Sequence, residues 1–278
     1  MTAPPFPYFG GKQLLASRIA AVFPPHRHYV EPFAGSLAVL LAKAPSPFET
    51  VNDLDSDLMT FWQVLRDQPD ELARVCALTP HSRAEFEAAR TRPDTLTDLE
   101  RARRVWVYLT QGRGGVLRNT GWRHYKKPSG GTSVTDYLRG YVARIHPALE
   151  RLQHVSLECR PALDVIADYG CHPDVLLYVD PPYLGSTRGW GANYRLEMRG
   201  VDEHAELVDA LAGCRASVVL SGYPSQLYDD ALAGWHRLEI PTHTGQSARG
   251  AWSARTEVLW MNRPIADQRG LFELGGTA

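Results

Sequence analysis

The residues best suited to chemistry are Asp180-Pro181-Pro182-Tyr183, which follow directly on the apolar run Leu176-Leu177-Tyr178-Val179. Two successive prolines, Pro181 and Pro182, fix φ and stop a helix, so they make a rigid corner whose carbonyls have no competing N–H beside them. An acid acceptor, a fixed carbonyl and an aromatic ring together suit a planar substrate that carries an exocyclic amino group. Asp180 and the Pro181 carbonyl would each accept one amino hydrogen, leaving the nitrogen lone pair available for attack, and Tyr183 would stack on the ring. The plainer alternative is a turn that ends a strand, with Asp180 as its cap. The apolar run reads as a strand covered on both faces, and in an open α/β sheet ligands bind beyond the carboxyl ends of such strands.

Three further segments carry residues of the right kind. Gly35 follows the run that ends at Glu31 and permits close approach of backbone to a ligand at a helix start. The chain has no Gly-x-Gly-x-x-Gly, which argues against a dinucleotide pyrophosphate site, whereas a single glycine suffices for a cofactor with no phosphate to cradle. Asp53 ends the next run some twenty residues on, where an acid can accept both hydroxyls of a ribose; its alternative is a cap for the helix beginning near Asp55. Gly10-Gly11-Lys12 opens a predicted helix and, standing alone, reads equally well as an ordinary turn with a surface lysine. The ten histidines show no ligand spacing with other acids or cysteines, so no metal is expected.

Seven short β-type runs would position these residues: His28–Glu31, Thr50–Asn52, Val155–Cys159, Val175–Val179, Ser217–Ser221, His236–Ile240 and Glu257–Met261. Helical patterns lie between several of them, at Lys12–Val22, Ser36–Lys43, Asp55–Arg66, Leu163–Asp168 and Asp202–Leu211. Strands alternating with helices predict a mostly parallel, doubly wound sheet. Residues 67–152 break the rhythm and read as a helical insert (Glu71–Leu78, Arg83–Arg90, Leu99–Thr110, Val134–Leu149) around a glycine-rich basic loop, Gly112–Gly131, leaving 1–66 and 153–278 as the core. Net charge is −1 over 278 residues, yet from Arg101 to Arg144 ten basic residues face one acid, Asp136, so that stretch carries +9 and the remainder −10. Such a stretch suits a polyanion, with a solvated helix surface as the plainer reading. Arg113, Arg118, Arg123, Tyr125, Lys126 and Lys127 are the candidate phosphate and groove contacts, with Trp122 and Trp190 as candidate stacking residues and Trp106 in an apolar pattern that predicts core. Four scattered cysteines, no apolar run near the length of a membrane span and no secretion-type start predict a cytoplasmic protein without membrane contact.

Taken together, the motifs resemble the D12 class of S-adenosylmethionine-dependent DNA adenine-N6 methyltransferases. The resemblance rests on Tyr8-Phe9-Gly10-Gly11-Lys12, Tyr29-Val30-Glu31-Pro32-Phe33-Ala34-Gly35-Ser36, Val51-Asn52-Asp53-Leu54-Asp55 and Asp180-Pro181-Pro182-Tyr183. Ser186-Thr187-Arg188, Leu220-Ser221-Gly222-Tyr223 and Thr256-Glu257-Val258-Leu259-Trp260 also match, in family order. It implies a Rossmann-like methyltransferase sheet of about seven strands with an inserted helical target-recognition subdomain. It also implies S-adenosylmethionine as cofactor, held by Tyr8, Gly10, Gly11, Lys12, Glu31, Pro32, Phe33, Gly35, Asp53 and Asp180, and double-stranded DNA as substrate, with an adenine flipped into the site. A monomer is expected, with a restriction endonuclease acting on the same site as its partner. One departure is visible: the acid that in the family follows the arginine of Glu158-Cys159-Arg160 is Pro161 here, and Asp164 lies a helical turn further on, which predicts weaker hold on the cofactor adenine. The same chemistry on RNA or another planar amino group, and a catalytically weak DNA-binding regulator, are the alternatives. Asp at position 180 disfavours cytosine and protein glutamine, where Ser and Asn are typical.

Overall fold

The computed structural model describes residues 2–117, 120–124, 133–184, 198, 200–244 and 253–264. Among these, seven strands form one sheet: β1 (His28–Glu31), β2 (Phe48–Asn52), β3 (Val155–Glu158), β4 (Val175–Val179), β5 (Ser217–Gly222), β6 (His236–Thr244) and β7 (Ser253–Met261). Their order is β3-β2-β1-β4-β5-β7-β6. Pairing is parallel from β3 through β5, and β7 runs antiparallel to both β5 and β6. All seven predicted runs are strands, and the predicted mostly parallel α/β sheet is the one observed. The order reverses direction between β1 and β4, which places the expected ligand crevice beyond Glu31 and Val179.

The helices are α1 (Ala16–Ala20), α2 (Ala38–Ala42), α3 (Ser56–Asp67), α4 (Pro69–Leu78), α5 (Arg83–Ala88), α6 (Asp98–Gln111), α7 (Val134–Val142), α8 (Ile145–Leu152), α9 (Ala162–Gly170), α10 (Val201–Ala212) and α11 (Gln226–Ala231). Side chains alternate across each strand, so β4 sends Leu176 and Tyr178 to one face and Leu177 and Val179 to the other. The first face is covered by α1 to α3 together with α4 to α8, in one continuous apolar cluster that includes Phe61, Trp62 and the predicted core residue Trp106. The second face is covered by α9, α10 and α11 through Val165, Leu207, Leu211 and Tyr228. The N-terminal strap threads the first layer: Phe6 is fully buried, and Pro5 and Pro4 accept hydrogen bonds from Trp106 (2.9 Å) and Arg144 (3.1 Å). None of the described helices is long and apolar enough to cross a membrane.

Two predicted helices differ. The single helix expected over Val134–Leu149 is two, α7 and α8, because the ring of Pro147 would clash with the carbonyl of Ala143 in a continuous helix; the chain turns at Ala143–Arg144 instead. The helix expected to open at Gly10-Gly11-Lys12 begins only at Ala16, since Gly10 has φ +74° and Lys12 lies in the preceding turn.

Candidate functional site

The loop after β1 is built around one side chain, Tyr8. Gly35 has φ +48°, and a Cβ there would lie 3.0 Å from the Tyr8 ring; a Cβ on Gly11 would lie 2.9 Å from the Tyr8 carbonyl. Leu37, at φ +54°, is also left-handed. That conformation costs a non-glycine residue about 1–2 kcal/mol, and complete burial of the Leu37 side chain, about 1.5–3 kcal/mol, offsets it. Asp53 holds the loop from the next strand: its carboxylate accepts from Gly35 N and Asp55 N, both at 2.9 Å. The cap of α3 is Asp55, which accepts from Asp57 N and Leu58 N, so Asp53 is not the cap of that helix. Asn52, fully buried, braces three strand ends: it donates to the carbonyls of Pro32 and Arg160 (both 3.0 Å) and accepts from Arg160 N (2.9 Å).

These strand ends enclose a cavity of ≈ 330 Å³ at the switch point of the sheet. Its wall includes every candidate cofactor residue: Tyr8, Gly10, Gly11, Lys12, Glu31, Pro32, Phe33, Gly35, Asp53 and Asp180. Sequence reasoning assigned no cofactor contact to Leu54, Asp55 or the α10 residues Glu203, Glu206 and Leu207, which also line it; α10 reaches the cavity only by folding back over the second face. Beyond β3 the wall is Pro161, Ala162 and Leu163, and Asp164 is not among the lining residues. The size suits a nucleoside-sized ligand. The lining suits it too: acids to accept from ribose hydroxyls and an ammonium, glycines where backbone must approach closely, and the apolar residues Phe33, Pro161, Leu163 and Leu207 for a purine.

The corner after β4 has two sides. Asp180 and Pro182 face the large cavity, while Pro181 and Tyr183 line a small crevice shared with Ser221, Gly222, Tyr223 and Tyr228. Lys12 reaches across from the N-terminal turn, only 4% exposed. Its ammonium donates to Asp180 Oδ1 (2.5 Å), Tyr183 Oη (3.0 Å) and the Gly10 carbonyl (3.1 Å). Glu257 Oε1 lies 3.4 Å from the same nitrogen. Burial raises the Asp180 carboxyl to about 6, the Lys12 ammonium opposes the rise, and the Glu257 charge adds to it. Burial alone would lower Lys12, but Asp180 and Glu257 hold it well above its ordinary value. Glu31, beneath, is raised by burial although Tyr29 donates to it at 3.0 Å.

Tyr183 is the residue expected to stack on the substrate ring, and in the structure its own ring already has a partner. It is 6% exposed and stacked on Tyr223, with ring centroids 4.0 Å apart and planes at 8°. Trp122, another stacking candidate, is engaged as well, with His81 stacked on its ring at 4.5 Å and Arg83 over it at 4.8 Å. Arg113 is exposed at the start of the basic loop, and Arg123 lies over the Tyr137 ring at 4.6 Å. The loop closes through the Gly112–Trp122 bridge and is attached to the cavity wall by Phe9 N, which donates to the Gly115 carbonyl at 2.8 Å. Arg118, Tyr125, Lys126, Lys127, Ser186-Thr187-Arg188 and Trp190 lie outside the described residues. His204 pins the segment before α10, its ring bonded to the Met198 carbonyl and the Tyr228 hydroxyl. Among the described residues, no group of three or more His, Cys, Asp or Glu is arranged to hold a metal ion.

Comparison with known proteins adds identity to this geometry. The family described as D12 class N6 adenine-specific DNA methyltransferase matches residues 8–242. Type II methyltransferase M1.LlaDCHI of Lactococcus lactis subsp. cremoris is 28% identical over 282 residues, which cover 91% of this chain and 93% of that protein. Among solved structures, precorrin 8w decarboxylase of Methanobacterium thermoautotrophicum aligns over 94% of this chain and 98% of that one, with a TM-score of 0.40 and 10% identity. A SAM-dependent methyltransferase from Agrobacterium tumefaciens aligns over 90% of this chain and 60% of that one, with a TM-score of 0.37 and 10% identity.

Proposed function

This chain belongs to the D12 class of N6 adenine-specific DNA methyltransferases, and on that premise we propose how its own residues carry the reaction. The activity is site-specific methylation of adenine N6 in DNA with S-adenosylmethionine as donor. When bound, the donor would supply a sulfonium methyl: the adenine nitrogen bonds to its carbon as the carbon–sulfur bond breaks, the thioether leaves, and the methylated nitrogen gives up its proton to solvent. Of the lining residues, Asp53 would accept the ribose hydroxyls, Phe33, Pro161, Leu163 and Leu207 would take the purine, and Glu31 would serve the amino-acid end. The target adenine leaves the duplex, because N6 is otherwise engaged in pairing and stacking; that costs a few kcal/mol. Asp180 and the Pro181 carbonyl accept its two amino hydrogens and so turn the lone pair toward the cavity. With its carboxyl raised by burial to about 6, Asp180 is mainly ionised at pH 7. It need only accept, since the methylated nitrogen is far more acidic than the amine. Tyr183 stacks on the base through movement of Tyr223 or through its other face.

One observation carries this reading: Asp180 stands at the end of β4, on the wall between a nucleoside-sized cavity and the rigid corner. Residues 67–152 form the target-recognition part, with Arg113, Arg118, Arg123, Tyr125, Lys126 and Lys127 on phosphates and groove. Support comes from the attachment of that loop to the cavity wall at Phe9. We further propose a cytoplasmic monomer paired with a restriction endonuclease of the same site, in line with the Type II relative. The test is transfer of labelled methyl to unmethylated duplex DNA, with the modified base identified by mass spectrometry. Wild type should give N6-methyladenine and Asp180→Ala at least about 1,000-fold less. Equal activity of the two proteins would remove Asp180 from the reaction, and incorporation into RNA alone would remove the DNA substrate.

A further inference from the structure

The Lys12 ammonium has more acceptors than hydrogens. It carries three N–H bonds, and the Gly10 carbonyl, Asp180 Oδ1 and Tyr183 Oη already lie at 3.1, 2.5 and 3.0 Å. A fourth acceptor waits: Glu257 Oε1, at 3.4 Å. Glu257 is itself 2% exposed and fixed from two sides, by the Ser221 hydroxyl (2.6 Å to Oε1) and the Tyr183 hydroxyl (3.3 Å to Oε2). It stands in β7, flanked by β5 and β6, at the start of the buried run Glu257 to Met261, where a carboxylate without a counter-charge would be costly. Because β7 runs antiparallel to β5, its first half lies at the carboxyl end of β5, and from there Glu257 reaches the ammonium that also holds Asp180.

The ammonium makes its shortest contact at Asp180 Oδ1, so a substrate amine that approaches this oxygen competes with it there. We propose that Glu257 is a positioning residue of the transfer site: it receives the Lys12 ammonium when the target amine displaces it from Asp180, and it holds the Tyr183 hydroxyl throughout. The third N–H then moves from Asp180 to Glu257, a shift of under one hydrogen-bond length. The ammonium stays in a buried ion pair at every stage, and Asp180 exchanges its bond from the ammonium for one from the amine. This inference rests on the role given above to Asp180.

Glu257→Gln tests it, because the amide keeps the volume and one acceptor but loses the charge. Lys12 should then stay on Asp180: kcat falls about 10- to 100-fold, as for other residues that orient a reacting group, while KM for the donor stays within about twofold. With the Glu257 charge gone, the Asp180 carboxyl titrates lower, so the acidic limb of kcat/KM moves to lower pH. The variant becomes slower and more acid-tolerant. The other titratable groups facing the pair are Glu31 and the phenols of Tyr178, Tyr183, Tyr223 and Tyr228, with the Arg255 guanidinium 5.4 Å from the Tyr223 ring; all are common to both proteins. The decisive comparison is Lys12→Met with Lys12→Met/Glu257→Gln. If Glu257 acts through Lys12, the double variant is no slower than Lys12→Met alone. This pair also serves if Glu257→Gln by itself fails to fold. Losses that multiply in the double variant, or an unshifted acidic limb in Glu257→Gln, would overturn the proposal. A wild-type enzyme no more active than Asp180→Ala would overturn the earlier assignment instead.

Discussion

A carboxylate and an ammonium buried together are stable only as a pair, and Lys12 and Asp180 show what that pairing means for pH. Protonated Asp180 has lost its charge and holds a hydrogen on one oxygen, so it no longer accepts well from an amine. Its carboxyl is raised by burial to about 6, so the ionised form is complete above that value and is lost as pH falls through it. Lys12 is held well above its ordinary value and keeps its charge through the neutral and mildly basic range. We therefore expect kcat/KM to be level from about pH 7 to 9 and to fall tenfold per pH unit below about 6; initial rates across pH 4.5–9 check this. A profile level down to pH 4.5 would contradict a carboxylate in that environment. The Asp-Pro-Pro-Tyr corner could be located from its neighbours alone, because proline acts on its own backbone. Glu257 could not, because its partners Lys12, Tyr183 and Ser221 lie 245, 74 and 36 positions away.

At the scale of elements, the helical segment is shaped by its own end signals. Ser133 Oγ accepts from Asp136 N at 3.0 Å and caps α7, just after the part of the basic loop outside the described residues. Replacing a serine cap with alanine costs about 1 kcal/mol, or a fall in melting temperature of about 2 °C for a chain this long. Ser133→Ala should therefore lower the melting temperature by that amount and leave the transfer rate at 25 °C unchanged, while Ser133→Gly should lower it far less. Calorimetry on both variants decides, and a larger loss in glycine than in alanine would mean that Ser133 does not act as a cap. The break between α7 and α8 was likewise present in the sequence at Pro147, although apolar periodicity ran through it. Periodicity reports which face is buried and says nothing about whether the hydrogen-bond ladder is continuous.

Charge is a property of the whole molecule, and here linear counting and spatial pairing diverge. Arg101, Arg103 and Arg104 belong to the +9 stretch, yet they pair with acids outside it: Arg101 with Asp57 (2.7 Å), Arg103 with Glu85 (2.8 Å) and Arg104 with Glu100 (2.8 Å). Arg101 and Arg103 join α6 to α3 and α5, while the Arg104 pair lies within α6. Arg103→Ala should therefore cost about 1–2 kcal/mol of stability and leave the salt dependence of DNA binding unchanged. Replacing Lys126 and Lys127 together should reduce the slope of log K against log salt by about two phosphate contacts; titrations over a range of salt separate the two cases, and an unchanged slope would take that loop off the DNA. Sequence by itself determined the strand order along the chain, the corner after β4 and the glycines and acids after β1 and β2, because each depends on local backbone geometry and short-range periodicity. Only the tertiary structure decided that Tyr183 is packed on Tyr223, that part of the basic stretch is internal cement, and that an antiparallel strand delivers Glu257 to Lys12. Those outcomes depend on which distant side chains share a desolvated volume, and no local pattern encodes that.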